Sequence, residues 1–116
     1  MELAIAGLGR MGGNMAQRLL HAGHRVVGYN RTTSVAEALA PYGLEVAPAL
    51  EDLAHMLRPP RVAISMVPAG AVTEAMLHAL ADVLEPGDII VDGGNSNYRD
   101  SMRRGAELAA RGFRFI

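Results

Sequence analysis

The sequence predicts an α/β protein, a doubly wound and mainly parallel sheet with helices on both faces. Three observations carry this. Short apolar runs alternate with amphipathic stretches of helical length along the whole chain. Runs such as Leu3-Ala4-Ile5-Ala6 and Val62-Ala63-Ile64-Ser65-Met66-Val67 are nearly continuous in apolar character, as in strands covered on both sides. Finally, Gly7-Leu8-Gly9-Arg10-Met11-Gly12 follows the first run directly and opens a helical pattern.

Each element follows from local chemistry. Leu3 to Ala6 is a strand, and Met15, Ala16, Leu19 and Leu20 share a helical face that Gly23 closes. Arg25 to Tyr29 is the second strand, completing a βαβ unit. Thr33 or Ser34 is expected to cap a short helix through Val35, Ala38 and Leu39, ended by Pro41. Leu44 to Val46 is a short strand. Glu51 and Asp52 suit the first turn of a helix containing Leu50, Leu53, Ala54 and Leu57, stopped by Arg58-Pro59-Pro60. Val62 to Val67 is a strand, broken by Pro68-Ala69-Gly70. Val72, Ala75, Met76, Ala79, Leu80 and Val83 mark one face of the next helix. Ile89 to Val91 is a strand. Asn97, with Asp100 three residues on, resembles a capping box for a helix through Tyr98, Met102, Ala106 and Ala109 that Gly112 ends. Phe113 to Ile116 begins one more strand, so the chain reads as the front piece of a longer enzyme.

Composition narrows the function. The 116 residues suit one domain, 1–116, and half of them are hydrophobic. Twelve acidic and eleven basic residues give net charge −1, too little positive charge for bulk nucleic-acid binding. Cysteine is absent, which excludes disulfides and thiolate chemistry, and every basic residue is Arg, which excludes a catalytic lysine in this chain. No apolar run approaches a membrane span and no signal peptide is present, so a cytoplasmic protein without membrane partners is expected. The four histidines, His21, His24, His55 and His78, read as surface or structural residues, and no metal is expected.

The glycines point to a dinucleotide. Gly7 permits a tight turn, Gly9 lets the backbone approach a pyrophosphate, and Gly12 allows close packing of helix on strand. Free N–H groups at the helix start then face the phosphates, in a Rossmann-type arrangement. Met11 is either a nicotinamide contact or a core residue, and Arg10 either a phosphate ligand or a solvated charge. At the end of the second strand, an acidic residue would bind the ribose hydroxyls of NAD. This chain has Asn30-Arg31-Thr32 instead. Asn30 does not repel a 2′-phosphate, and Arg31 offers a forked cation, so NADP is preferred over NAD.

Two further loops lie at strand ends. Val67-Pro68-Ala69-Gly70 is either a surface for a flat ring or a plain connection. Asp92-Gly93-Gly94-Asn95-Ser96-Asn97 carries more small polar residues than a turn requires, and Asn95 reads as functional. Ser96 or Asn97 can serve as the helix cap.

These segments carry a family resemblance. Gly7 to Met15 followed by His21-Ala22-Gly23-His24 resembles the β-hydroxyacid dehydrogenase superfamily. Within it, Met66 to Gly70 and especially Asp92-Gly93-Gly94-Asn95-Ser96-Asn97-Tyr98-Arg99-Asp100 resemble the coenzyme domain of the decarboxylating 6-phosphogluconate dehydrogenase family. The resemblance implies a cofactor site of Gly7, Leu8, Gly9, Arg10, Met11, Gly12, Asn30, Arg31, Thr32, Met66, Val67, Pro68 and Asn95. It implies substrate contacts from Asn95 and Ser96. It implies oxidation of a phosphorylated sugar acid, 6-phosphogluconate, by NADP, with loss of CO₂ to give ribulose 5-phosphate in the pentose phosphate pathway. In the family, the Lys base and Glu acid lie in a following all-helical domain, so this chain alone is expected to be inactive. The full-length enzyme is expected to be a homo-oligomer. Many NADP-using members have Lys where this chain has Pro68. Two alternatives are the coenzyme domain of another β-hydroxyacid dehydrogenase, such as the 3-hydroxyisobutyrate type, and a non-catalytic dinucleotide-binding module.

Overall fold

A computed structural model describes residues 1–68, 70–94 and 97–116, leaving aside the side chain of Tyr98. Its strands are β1 (Glu2–Ala6), β2 (Arg25–Tyr29), β3 (Glu45–Val46), β4 (Val62–Ser65), β5 (Ile89–Asp92) and β6 (Arg114–Phe115). They form one sheet in the order β3-β2-β1-β4-β5-β6, every neighbouring pair parallel. The connections are α1 (Arg10–His21), α2 (Thr33–Glu37), a 3-10 turn at Ala40–Tyr42, α3 (Asp52–Met56), α4 (Ala71–Val83) and α5 (Tyr98–Ala110). No helix is long and apolar enough to cross a membrane among the described residues.

Strand geometry explains the continuous apolar runs. Alternate residues of β1 point to opposite faces, and both faces are covered. Leu3 and Ile5 pack with Ala16 of α1 and Ala36 of α2. Ala4 and Ala6 join Leu53 of α3, Leu77 and Leu80 of α4 and Leu108 of α5. Fully buried residues such as Ile5 and Leu80 each contribute ~1.5–3 kcal/mol. Coverage thins beyond β1, where Val62, Ile64, Ile89 and Val91 are only half-buried.

The chain winds outward from β1 to β3, then returns to β4 beside β1. The strand order reverses between these two, so their C-terminal ends flank a crevice.

Several elements differ from the sequence expectation. α2 covers only five residues, and Pro41 lies inside the following 3-10 turn instead of ending a helix. Thr32, not Thr33 or Ser34, is its cap residue. Ala36 and Leu39 turn inward there, while Val35 and Ala38 are exposed. α3 is likewise five residues, with Glu51 before its first turn. β4 ends at Ser65, leaving Met66 and Val67 beyond the ladder.

The inward face of α4 is Thr73, Leu77, Leu80 and Ala81, with Val72 and Ala75 exposed. On α5, Arg104 and Leu108 are buried, whereas Met102, Ala106 and Ala109 are exposed. Polar residues hold these inward faces because tertiary partners satisfy them: the Thr73 hydroxyl donates to the carbonyl of Pro68 at 2.7 Å. The cap at Asn97 is as expected, its Oδ1 accepting from the N–H of Arg99 at 2.8 Å.

Ion pairs tie the N-terminal edge of the sheet, opposite the crevice. The Arg25 guanidinium at the start of β2 donates to both oxygens of Glu45 on β3, at 2.6 and 2.8 Å, and to Glu2 on β1 at 3.0 Å. Deeper in, Asp88 accepts from the Arg61 backbone N–H at 2.7 Å, from its guanidinium at 3.1 Å, and from the N–H of Glu85 at 2.9 Å. The Asp88 side chain is 1% exposed.

Asp88→Ala removes the buried carboxylate partner of the nearly buried Arg61, leaving it the exposed Glu85 at 3.6 Å, and takes the acceptor from two backbone N–H groups. A loss of ~3–5 kcal/mol is expected in urea denaturation. A second expectation concerns acid. The Arg25 fork holds the Glu45 carboxyl below its ordinary 4.5, and a hydrogen bond from Arg103 lowers Glu74 in the same way. A depressed carboxyl stabilises the fold above its unfolded value, and that contribution disappears as pH falls through the folded value. Denaturation midpoints should therefore drop below about pH 4.5, and Arg25→Met should lessen the drop by up to ~1 kcal/mol, as for a partly exposed pair.

Candidate functional site

The turn from β1 to α1 is built from backbone contacts. Gly7 has φ 102°, and a Cβ there would lie 2.7 Å from the carbonyl oxygen of Met66. A Cβ on Gly12 would lie 2.0 Å from the carbonyl oxygen of Gly7. Neither position can carry a side chain. Gly9 is different: nothing lies within 4 Å of a Cβ placed there, so it faces open space at the start of α1. Gly9 makes no side-chain cap and the first turn holds no acidic residue, so the helix start is available to an anion.

Asn30 links this turn to the end of β2. Its Oδ1 accepts from the N–H of Leu8 at 2.9 Å, and its Nδ2 donates to the carbonyl of Thr32 at 3.0 Å. Thus Asn30 fixes the glycine turn and the Arg31-Thr32 loop to one another. The Leu8 side chain is core, and its N–H is already engaged, which makes it a support of the turn. Arg31 and Thr32 are exposed. Among the described residues Arg31 makes no ion pair.

One cleft opens at this turn and another at the end of β2. One, of about 340 Å³, is lined by Gly9, Arg10, Met11, Met66, Val67, Pro68, Gly93 and Gly94. It gathers six of the sequence-predicted residues at the reversal of strand order. Met11 is 71% exposed, which excludes the core alternative for it. The other cleft, of about 460 Å³, runs from Tyr29 and Arg31 past Leu50 to Ala71, Val72, Ala75, Met76 and Ala79. Among the described residues no acidic residue lines either cleft, and each is lined by an exposed arginine, Arg10 in one and Arg31 in the other. The arrangement suits an elongated ligand with anionic groups and flat apolar parts.

The apolar α4 face escaped the sequence analysis as a site. A signal was present: α4 is apolar on more sides than one sheet can cover. The glycine pair has a packing reason as well. A Cβ on Gly93 would collide with the Met66 thioether, and one on Gly94 would lie 2.9 Å from the carbonyl oxygen of Val67. The β5 loop therefore packs against the β4 loop through the Met66 side chain at Gly93 and through backbone at Gly94. Asn95 and Ser96 lie outside the described residues.

One histidine has company that its sequence position only half reveals. His78 Nε2 lies 3.7 Å from Glu74 Oε2 and 3.2 Å from Glu107 Oε2 on the α4–α5 seam. These atoms are close enough to share a metal ion. Arg103 neutralises both carboxylates, however, and the group is away from the crevice lining.

Comparisons with known proteins agree with this geometry. The family described as the NAD binding domain of 6-phosphogluconate dehydrogenase matches residues 2–116. The decarboxylating 6-phosphogluconate dehydrogenase of Aggregatibacter actinomycetemcomitans is 45% identical over 120 residues, covering 99% of this chain and 25% of that protein. The solved 6-phosphogluconate dehydrogenase of Plasmodium falciparum, studied with its cofactor NADP⁺ and with its substrate 6-phosphogluconate, superposes with TM-score 0.89 at 26% identity. It is matched over 99% of this chain and 26% of that one. Mycobacterium tuberculosis 3-hydroxyisobutyrate dehydrogenase, at 24% identity and TM-score 0.87 over 98% of this chain and 38% of its own, shows the shared fold alone. The chain spans about a quarter of the length of the first curated relatives it matches. With its glycine turn, switch-point crevice and a family match across nearly its whole length, the chain belongs to the family of the NAD binding domain of 6-phosphogluconate dehydrogenase.

Proposed function

We propose that this chain is the NADP-binding part of a decarboxylating 6-phosphogluconate dehydrogenase. The observation that carries the reading is the end of β2. Asn30 stands where an acid would select NAD, and it sets Arg31 and Thr32, both exposed, beside the glycine turn. The space beside Gly9 fits a pyrophosphate at the start of α1. When bound, NADP supplies a hydride acceptor for C3 of 6-phosphogluconate.

The residues of this chain bind and orient. Arg31 and Thr32 hold the 2′-phosphate, with a forked cation suited to phosphate oxygens. The apolar face of Val72, Ala75, Met76 and Ala79 receives the adenine ring. Gly7, Gly9 and Gly12 shape the pyrophosphate cradle, braced by Leu8, with Arg10 at its mouth. Met11, Met66, Val67 and Pro68 wall the nicotinamide side, and Asn95 and Ser96 carry contacts to nicotinamide and sugar acid. The lysine base that the family resemblance implies is not among residues 1–116, which contain no lysine, and we assign it to a separate substrate domain. The whole enzyme then works in the cytoplasm as a homo-oligomer on a phosphorylated sugar acid.

Calorimetric titration with NADP and NAD tests this. The chain should bind NADP more tightly. Arg31→Ala should lower NADP affinity at least ~10-fold, the scale of a charge-assisted hydrogen bond, and leave NAD affinity unchanged. Equal binding of both by the unmodified chain overturns the NADP assignment. The glycines separate fold from site. Gly9→Ala should keep the melting temperature but weaken either dinucleotide, because its Cβ enters open crevice space. Gly12→Ala should cost ~1–3 kcal/mol of stability or more by driving Cβ into the Gly7 carbonyl.

A further inference from the structure

Arg104 is a charged side chain in the middle of α5, yet it is only 3% exposed. Burying a guanidinium is costly unless its charge and N–H groups are met. Its partners come from elements that converge behind the crevice. Nη2 donates to the carbonyl of Gly70, just before α4, at 3.3 Å. Nη1 lies 3.8 Å from Asp92 Oδ2 at the end of β5, and Nε 3.4 Å from Glu74 Oε2 within α4.

Asp92 passes the constraint onward. Its side chain is 5% exposed, and its other oxygen, Oδ1, accepts from the N–H of Gly94 at 3.0 Å. Gly93 and Gly94 line the crevice with Val67 and Pro68, whereas Arg104 does not. The cation thus grips both loops of one crevice wall from behind: the β4–α4 loop through Gly70, and the β5–α5 loop through Asp92 and Gly94. An arginine used only to join α4 to α5 has a surface pattern available, as in Arg111 with Asp82 at 2.8 Å on the same helix pair.

We infer that Arg104 is a positioning residue for the nicotinamide half of the cofactor site, setting Gly70 before α4 and the Asp92–Gly94 loop without touching the ligand. This rests on the dinucleotide reading above. In that reading the 2′-phosphate and adenine occupy the Arg31 side, and the far half of the ligand meets these two loops. Loss of Arg104 therefore acts on one half of the ligand and spares the other.

The test uses Arg104→Lys, which keeps the charge but cannot reach Gly70, Asp92 and Glu74 at once. Its ligands are NADP and adenosine 2′,5′-bisphosphate, which occupies the Arg31 side only. NADP affinity should fall about 10-fold, and adenosine 2′,5′-bisphosphate affinity should stay within about two-fold. In amide-resolved NMR of the ligand-free chain, the Gly94 signal should shift and exchange faster, with Gly7, Gly9 and Gly12 unmoved. Arg111→Ala, which breaks an α4–α5 pair remote from the crevice, should change none of these. Unchanged NADP affinity with an unmoved Gly94 amide overturns the inference, and so does equal weakening of both ligands, the mark of general destabilisation. Binding of neither ligand by the unmodified chain instead removes the dinucleotide reading on which the inference stands. If Arg104→Lys does not fold, Asp92→Asn cuts the same link from its other end. The same split between ligands is then expected, and its absence overturns the inference.

Discussion

Three backbone segments meet with no room for a side chain at the reversal of strand order, and the architecture is arranged around that contact. The Gly12 Cα sits over the Gly7 carbonyl, and Gly7 against the carbonyl of Met66. Interiors are close-packed, so a clash of this size cannot be absorbed by small adjustments. The contact brings the start of α1 down onto the ends of β1 and β4. Because α1 begins there without a side-chain cap, its unmatched N–H groups are held at the mouth of the crevice. A steric requirement of packing and an electrostatic requirement of anion binding are thus met by the same few residues.

The two edges of the sheet divide stability from ligand binding. At the N-terminal edge, Arg25 and Arg61 neutralise Glu2, Glu45 and Asp88, and little polarity is left unmatched. At the C-terminal edge, Arg10, Arg31 and the helix start face solvent without an acidic residue in the cleft linings. A closed charge network favours a rigid strand base. An open one leaves a positive field for a polyanion. Asn30 stands at the join, using its own amide to hold the glycine turn at a set distance from Arg31.

The α4–α5 layer behaves in the same way on the other side of the crevice. Buried Thr73 and Arg104 displace apolar residues that hydrophobic spacing assigns to the interior. Thr73 is tolerated because it satisfies the loop carbonyl of Pro68, and Arg104 because it meets the Gly70 carbonyl and the carboxylates of Asp92 and Glu74. Turning these polar groups inward leaves Val72, Ala75 and Met76 to line a cleft, so loop anchoring and the apolar ligand surface arise from one choice of helix face.

By itself the sequence determined the alternation of strands and helices, the parallel sheet, the glycine turn and the missing acid after β2. These are local signals: continuous apolar runs, φ-permissive residues at a strand-to-helix junction, and one residue type at a known distance from it. Only the tertiary structure decided which faces of α4 and α5 are buried, since periodicity counts apolar residues and cannot know that Thr73 and Arg104 find partners across a loop. It also decided that Asn30 braces the turn, that Gly93 and Gly94 are there for loop-against-loop packing, and that Glu107 joins the Glu74–His78 pair. In each case the deciding contact is between residues far apart in the chain, and its energy exists only once the sheet has brought them together.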